Sequence, residues 1–198
     1  TFVQEYEKIT FMEAVKKLAQ RVGITVKETI NDKRAESKKT KLINIYRIAN
    51  DYFVNNLKEY GDDVYKYLEG RKISKELASK LELGYTLDSF NGLLNQVKRE
   101  DIPDDIIELS GLFKDSNKGR YDAFRNRLMF PIHSHTGQIV AFGGRQLDSN
   151  EKGGKYINSP TTDLYTKGNE LYGLFLTKYD IAKVNYAIIC EGYLDFLR

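Results

Sequence analysis

The hydrophobic pattern of this chain changes its period near Gly111, and that change limits the possible folds more than any other feature. Before it, apolar residues recur every three or four positions, as on helix faces. The clearest stripe consists of Leu42, Ile45, Ala49, Tyr52, Phe53 and Leu57. After Gly111, residues 128–133 and 138–142 are typical of strands, and Ser134–Gly137 is typical of a hairpin turn between them. The sequence predicts an α+β fold, with a helix-rich N-terminal half followed by a small, mostly antiparallel sheet.

Helix signals in the first half give approximate boundaries. A capping box at Thr10–Glu13 and a C-terminal Gly23 predict a helix between them. Shorter helices are expected near residues 63–69, 75–82, 89–97 and 104–109. Ser74 and Asp88 are the expected N-caps of two of these helices. Residues 31–41 are polar and basic, so we interpret them as a linker or loose turn.

Glycine and proline add detail to the second half. Pro131 predicts that the first hairpin strand lies at a sheet edge or carries a bulge. Gly143 and Gly144 would allow close approach to the backbone. A helix is expected at about residues 176–183.

The end of the chain places two carboxylates near an apolar run. Residues 186–190 are typical of a buried strand, and Cys190 within it is expected to be a packing residue. Glu191 follows the run directly and Asp195 comes four residues later. Carboxylates at the carboxyl end of a strand suit Mg²⁺ or Mn²⁺, although acidic residues there are also common as helix caps.

Charge is concentrated in one part of the chain. The whole chain carries a net charge of +3, but residues 117–178 hold nine Lys and Arg against five Asp and Glu, a net charge of +4. The single cysteine excludes a disulfide framework or a cysteine-rich zinc site within this sequence. With neither a signal peptide nor an 18-residue apolar run in it, a cytoplasmic setting is expected.

The basic segment contains the candidate phosphate-binding and nucleotide-binding side chains, which are Arg145, Lys155, Tyr156, Asn158 and Lys167. Each lysine alone would more often be a surface charge, but the cluster favours a site. Arg125 and Arg127 would share a face if both lay on a strand. His133 and His135 could bind a metal, although a polar hairpin explains them better because no third ligand is near in sequence.

An ordered series of motifs resembles the bacterial DnaG-type DNA primases. The motifs are Phe124-Arg-Asn-Arg-Leu-Met-Phe-Pro-Ile132, Gly137-Gln-Ile-Val-Ala-Phe-Gly-Gly-Arg145, Lys155-Tyr-Ile-Asn-Ser-Pro160, Lys167-Gly168 with Leu171-Tyr-Gly173, and Glu191-Gly-Tyr-Leu-Asp195. Upstream, Tyr67-Leu-Glu-Gly-Arg71 resembles the family as well, although Gly70-Arg71 stands where the family more often has Arg-Gly. The likeness covers nearly the whole chain.

The resemblance implies an architecture for the chain. Residues 1–30 would be the tail of a zinc-ribbon region, 31–41 a basic linker, 42–175 the N-terminal subdomain of the RNA-polymerase domain, and 176–198 the start of a TOPRIM subdomain. The chain would thus end in the first β-strand of this Rossmann-like α/β fold. The Zn²⁺ ligands and the later Asp-x-Asp metal motif of the family are absent from this sequence.

The resemblance also implies a function. Such primases are DNA-directed RNA polymerases that make short RNA primers on single-stranded DNA from ribonucleoside triphosphates, and they bind the replicative helicase through a C-terminal domain. Glu191 would be catalytic and a ligand for Mg²⁺ or Mn²⁺, and Asp195, at the second position of the same motif, would be a further ligand. A basic groove with Arg71, Arg145, Lys155, Tyr156, Asn158 and Lys167 would bind template and nucleotide. The alternatives are a non-catalytic single-strand-binding module and another TOPRIM enzyme, such as a topoisomerase or nuclease.

Overall fold

The protein is described by a computed structural model covering residues 2–7, 11–23, 30–148 and 153–198. The helices are α1 (Phe2–Glu7), α2 (Phe11–Arg21), α3 (Ile30–Tyr60), α4 (Asp62–Gly70), α5 (Lys75–Lys80), α6 (Gly92–Arg99), α7 (Asp104–Leu109), α8 (Leu174–Val184) and α9 (Tyr193–Phe196). The strands are β1 (Gly84–Thr86), β2 (Phe113–Ser116), β3 (Gly119–Asp122), β4 (Arg127–His133), β5 (Ile139–Gln146) and β6 (Tyr156–Asn158). Seven of these helices precede β2, with only the short strand β1 among them, which confirms the predicted α+β order.

The chain forms two compact units, Thr1–Lys38 and Lys39–Arg198. In the first, α2 ends at Arg21, and Gly23 after it has φ +70°, the left-handed conformation expected after a helix. Thr10 of the predicted capping box lies outside the described residues. The second unit carries the sheets and all the candidate site residues.

Residues 31–41 are helical, so the expected loose turn is wrong. The segment lacks glycine and proline and is rich in Lys, Arg, Glu and Ala, which are good helix formers. Continuing the helix N-terminally from Leu42 costs little, because each added residue gains a backbone hydrogen bond. The assignment of this segment as an interdomain linker, and the other proposed domain boundaries, stay predictions.

The main sheet has four antiparallel strands in the order β1-β4-β5-β6, and β2 and β3 form a separate hairpin. The turn between β4 and β5 is closed by a backbone hydrogen bond from Ser134 to Gln138, as predicted. Strand β4 is central rather than at an edge. The register shifts between Ile132 and His133, which confirms the alternative of a bulge near Pro131.

The two faces of the main sheet pack against different helices. Met129 and Phe142 point from one face into a core with α3, α6 and α7, and the predicted stripe from Leu42 to Leu57 lies buried along α3 apart from a half-buried Tyr52. Leu128 and Phe130 point from the other face into a core with α4, α5 and α9. Because side chains alternate along a strand, the strand pairing determines which candidate residues share this second face.

The apolar run at residues 186–190 does not form the expected strand. No described strand pairs with it, and Ile188 and Ile189 are each 82% exposed. Cys190 is exposed as well, so its predicted burial is wrong. An isolated extended segment has no neighbouring strand to cover its side chains or to satisfy its backbone. Its assignment as the first TOPRIM strand stays a prediction.

Among the described residues, no helix has both the length and the apolar character that crossing a bilayer would require.

Candidate nucleic-acid interface

Arg145 is the centre of the candidate site. It lies on β5, opposite Tyr156 of β6, and its guanidinium Nη1 donates a 2.6 Å hydrogen bond to the Tyr156 hydroxyl. The residue is only 8% exposed, and its Nε has no hydrogen-bond partner among the described residues. A buried guanidinium N–H without an acceptor is costly. The Nε N–H of Arg145 is therefore left unsatisfied by the described residues in this arrangement.

A second arginine lies near the first through a shared aromatic ring. The guanidinium carbon of Arg145 lies 5.2 Å from the centre of the Tyr67 ring, and that of Arg71 lies 5.6 Å from the same centre. Tyr67 and Arg71 are four residues apart at the end of α4, so they lie on one side of the helix. Attraction between the cations and the ring stabilises this arrangement of two like charges.

No carboxylate in the described part of the chain forms an ion pair with Arg71, Arg145, Lys155 or Lys167. Arg71 and both lysines are exposed. Lys155 lies directly before β6, and Lys167 lies in a turn that the amide of Asn169 closes onto the carbonyl of Thr166. The structure brings Arg71, Arg145 and Tyr156 into contact through rings and hydrogen bonds, but it records no contact from either lysine to them.

Asn158 is connected to the terminal motif by Tyr193. It shares the second sheet face with Arg145, because it pairs with Gly143 two residues away. The Tyr193 hydroxyl donates a 2.7 Å hydrogen bond to Asn158 Oδ1, and its ring stacks on Phe130 with 4.8 Å between ring centres. Burial holds the pKa of Tyr193 above its usual range, so the hydroxyl stays protonated at neutral pH.

The double glycine of β5 allows close packing, but aromatic rings occupy the space next to it. A Cβ added to Gly143 would lie 2.5 Å from the Tyr193 ring, and one added to Gly144 would lie 2.8 Å from the Phe124 ring. The expected close approach is therefore confirmed for protein side chains. Arg127, on the strand that pairs with β5, is buried and donates to the carbonyls of Gly144 and Gly154, so it braces the loop before β6.

Glu191 and Asp195 are both exposed on either side of Tyr193. The Asp195 carboxylate folds back towards Gly192, where an added Cβ would lie 2.8 Å from its Oδ2. Among the described residues, no group of three or more His, Cys, Asp or Glu side chains could hold a metal ion. Glu191 and Asp195 could therefore supply only some of the ligands of a metal site.

The two histidines lie at the end of β4 and in the turn after it. His133 Nε2 is 3.4 Å from a Glu82 carboxylate oxygen, and its ring stacks against Phe175 at 5.8 Å between ring centres. These contacts agree with a packed polar hairpin. Arg125 and Arg127 do not share a strand face, because Arg125 precedes β4 and lies 3.9 Å from the Phe90 ring centre.

Sequence reasoning did not single out Tyr67 or Tyr193, although both lie in the quoted motifs. The i, i+4 spacing from Tyr67 to Arg71 was a usable signal on a helix. Tyr193 had no comparable signal, because its partners Asn158 and Phe130 lie 35 and more residues away in the chain.

Comparisons with known proteins show the family of this chain. Residues 52–178 match the family described as DNA primase catalytic core, N-terminal domain. The DNA primase of Deinococcus radiodurans is 37% identical over 198 residues, which cover 99% of this chain and 33% of that protein. The chain thus spans about a third of the length of the curated relatives it matches.

Comparison with solved structures supports the same family. The Aquifex aeolicus primase, comprising zinc-binding and RNA polymerase domains, superposes with a TM-score of 0.75 at 32% identity, covering 100% of this chain and 47% of that one. A DnaG primase catalytic domain bound to single-stranded DNA superposes with a TM-score of 0.72 at 30% identity, covering 82% of this chain and 52% of that one. The chain therefore belongs to the bacterial DnaG-type DNA primases, and residues 52–178 are the N-terminal domain of their catalytic core.

Proposed function

We propose that this chain supplies the template-binding and nucleotide-binding surface of a primase that makes short RNA primers on single-stranded DNA. The observation that carries the proposal is the buried Arg145, whose Nε lacks a partner among the described residues and which shares the Tyr67 ring with Arg71. Two guanidinium groups at one ring, with no carboxylate paired to either among the described residues, attract a ligand rich in negative oxygens, and a phosphate group has that chemistry.

The remaining site residues extend this surface. Tyr156 accepts from Arg145, so its own O–H is free to donate to a ligand. Lys155 and Lys167 add exposed point charges suited to a flexible phosphate chain. Such contacts position a single strand or a triphosphate largely without reading its sequence. The single-stranded DNA in the similar catalytic domain supports this class of ligand.

Glu191 and Asp195 would hold part of a Mg²⁺ or Mn²⁺ site. Mg²⁺ is commonly bound by one or two carboxylates together with phosphates and water, so two exposed carboxylates near phosphate-binding groups suit it. The ion would lower the charge on the nucleotide phosphates and activate the primer hydroxyl. This chain's own groups bind and orient the phosphates beside the carboxylates. The remaining ligands would come from elsewhere in the whole protein, so we expect no priming by the 198-residue chain alone.

The whole protein would act in the cytoplasm at the replication fork. Its partners would be the single-stranded template, ribonucleoside triphosphates, the RNA primer, and the replicative helicase through a C-terminal domain. Any Zn²⁺ would be held outside this sequence.

Salt-dependent binding of single-stranded DNA tests the surface. In the whole protein, Lys155→Ala and Lys167→Ala should each weaken binding and reduce the slope of log K against log[salt] by about 0.7, the value for one phosphate contact on a single strand. Lys98→Ala is the matched control, because Lys98 is exposed on α6, which packs against the other sheet face. If both variants have the same salt slope as the control, the proposal that Lys155 and Lys167 contact the phosphates of the single strand is contradicted.

Glu191→Gln tests the reaction separately. The substitution removes a charge from an exposed side chain, so it should abolish priming while leaving single-strand affinity within about 2-fold. Retained priming would remove Glu191 from the reaction. A wild-type protein that binds single strands and never primes would instead identify a non-catalytic binding module.

A further inference from the structure

We infer that Tyr193 is a positioning residue, which fixes the Asn158 side chain so that its amide N–H groups face the nucleotide. The inference rests on the proposed function and deepens the same site. It connects the carboxylate motif to the phosphate-binding face through one side chain. Tyr193 is the residue midway between Glu191 and Asp195, and its hydroxyl reaches Asn158 on the edge strand β6.

The first step concerns the direction of the hydrogen bond. The Tyr193 hydroxyl has one hydrogen, and Asn158 Oδ1 is its recorded acceptor at 2.7 Å. An amide has one acceptor oxygen and two donor hydrogens on opposite arms. With the oxygen occupied by Tyr193, the nitrogen of the exposed Asn158 points away from it, towards a ligand. This hydrogen bond holds the oxygen arm of the amide against Tyr193 and leaves the nitrogen arm exposed.

The second step concerns what holds Tyr193 in place. Its ring stacks on Phe130, meets Tyr172 edge-on with 4.7 Å between ring centres, and lies over Gly143, where a side chain would collide with it. The next residue, Leu194, is buried in the core formed with α4 and α5. The packing of the ring therefore holds the Tyr193 hydroxyl in a fixed position. A rigid donor loses little conformational entropy when it orients its partner.

The third step concerns the neighbouring pair. Arg145 donates to Tyr156, and the rings of Tyr156 and Tyr193 lie 6.0 Å apart. The two tyrosines therefore lie side by side on one sheet face, where Tyr156 accepts a hydrogen bond and Tyr193 donates one. The tyrosine bonded to Arg145 retains an outward donor, and the one bonded to Asn158 turns the amide donors outward. The resulting donors suit phosphate or ribose oxygens.

The test uses Tyr193→Phe in the whole protein. This variant keeps the ring and its packing but loses the hydroxyl, so Asn158 is free to rotate. We expect the dissociation constant of a fluorescent ribonucleoside triphosphate, measured with and without added Mg²⁺, to rise about 3- to 10-fold. The KM for the nucleotide in priming should rise by a similar factor, with kcat changed much less.

Two further variants separate positioning from packing. Asn158→Asp keeps an oxygen for Tyr193 but loses the amide donors and adds a negative charge, so it should weaken nucleotide binding at least as much as Asn158→Ala. The double variant Tyr193→Phe with Asn158→Ala should bind no worse than Asn158→Ala alone, because Tyr193 acts through that amide. Tyr172→Phe is the matched control. It removes a hydroxyl from the same aromatic cluster, for which no hydrogen bond is recorded among the described residues, and should leave nucleotide binding unchanged.

The outcomes distinguish this inference from the proposed function. Wild-type affinity in Tyr193→Phe, together with a loss in Asn158→Ala, would contradict the inference and leave the function standing. Additive losses in the double variant would also contradict it. A wild-type protein that binds no nucleotide under any of these conditions would contradict the proposed function and the inference together.

Discussion

The carboxylate of Asp122 accepts a 2.8 Å hydrogen bond from the backbone amide of Leu93, 29 residues earlier in the chain. Its second oxygen accepts from the amide of Leu94 at 3.0 Å. Asp122 thus caps α6 from the end of β3, and Asn91, the residue at the N-cap position, makes no side-chain capping bond. The cap joins the small hairpin to the helical layer. The predicted local cap, Asp88, is wrong.

Asp122→Ala should destabilise the protein by about 2 kcal/mol, because two buried amides at the start of α6 lose their acceptor. Chemical denaturation at pH 7 measures the difference. Asp115→Ala on the same hairpin is the control, since the Asp115 side chain is exposed and pairs with Arg120. If Asp122→Ala loses no more stability than Asp115→Ala, water would satisfy the backbone amides of Leu93 and Leu94 in place of the carboxylate.

The free energy of unfolding should depend on pH through the Asp122 carboxyl group. Burial raises the pKa of Asp122 from 3.8 to about 6, against the opposing effect of its backbone donors. Between pH 3.8 and about pH 6, the Asp122 carboxyl group therefore stays protonated in the folded state, whereas it has lost its proton in the unfolded chain. The stability from this group is complete below pH 3.8 and is lost as pH rises through about 6, a change of about 3 kcal/mol.

The free energy of unfolding between pH 4 and pH 7, compared between wild type and Asp122→Asn, measures this effect. The asparagine does not titrate, so the wild type should lose stability relative to the variant as pH rises. Parallel curves would mean that the carboxyl group has the same pKa in both states.

Local signals in the sequence predicted the local structure well. The α3 stripe, the hairpin turn after His133 and the bounds of α7 follow from short-range periodicity and turn chemistry. Ser74 was predicted as an N-cap, and its Oγ accepts from the amide of Leu77. Each of these features involves residues within a few positions of one another, where a single sequence carries the necessary information.

The remaining differences come from long-range contacts. The cap of α6 comes from another element, and residues 31–41 continue a helix whose packed part begins at Leu42. The same limit applies to the site. The sequence motifs identified Arg145 and Tyr156 as candidates. The contact of Tyr67 with two arginines could not be predicted, because it depends on the packing of α4 against β5.

Tyr67→Phe should be neutral or should stabilise the protein by up to about 1 kcal/mol. The Tyr67 hydroxyl is buried without a partner among the described residues, and removing such a group removes its desolvation cost. Single-strand affinity should persist, because the ring between Arg71 and Arg145 remains. Tyr67→Ala is the comparison, and by removing the ring it should weaken binding. A Tyr67→Phe variant that loses both stability and affinity would show that the hydroxyl has a partner in the bound state.

Gly143→Ala should displace Tyr193 and, with it, the start of α9 and the neighbouring Glu191 and Asp195. The added Cβ would lie 2.5 Å from the Tyr193 ring, which is also held by Phe130 and cannot move without loss of packing. We expect a cost of about 1 to 3 kcal/mol in thermal unfolding, together with weaker nucleotide binding. Gly70→Ala is the matched control, because nothing lies within 4 Å of its added Cβ and alanine suits the end of α4. Equal stability and nucleotide affinity in the two variants would show that the sheet can shift to accept a side chain, and that Tyr193 does not depend on the glycine.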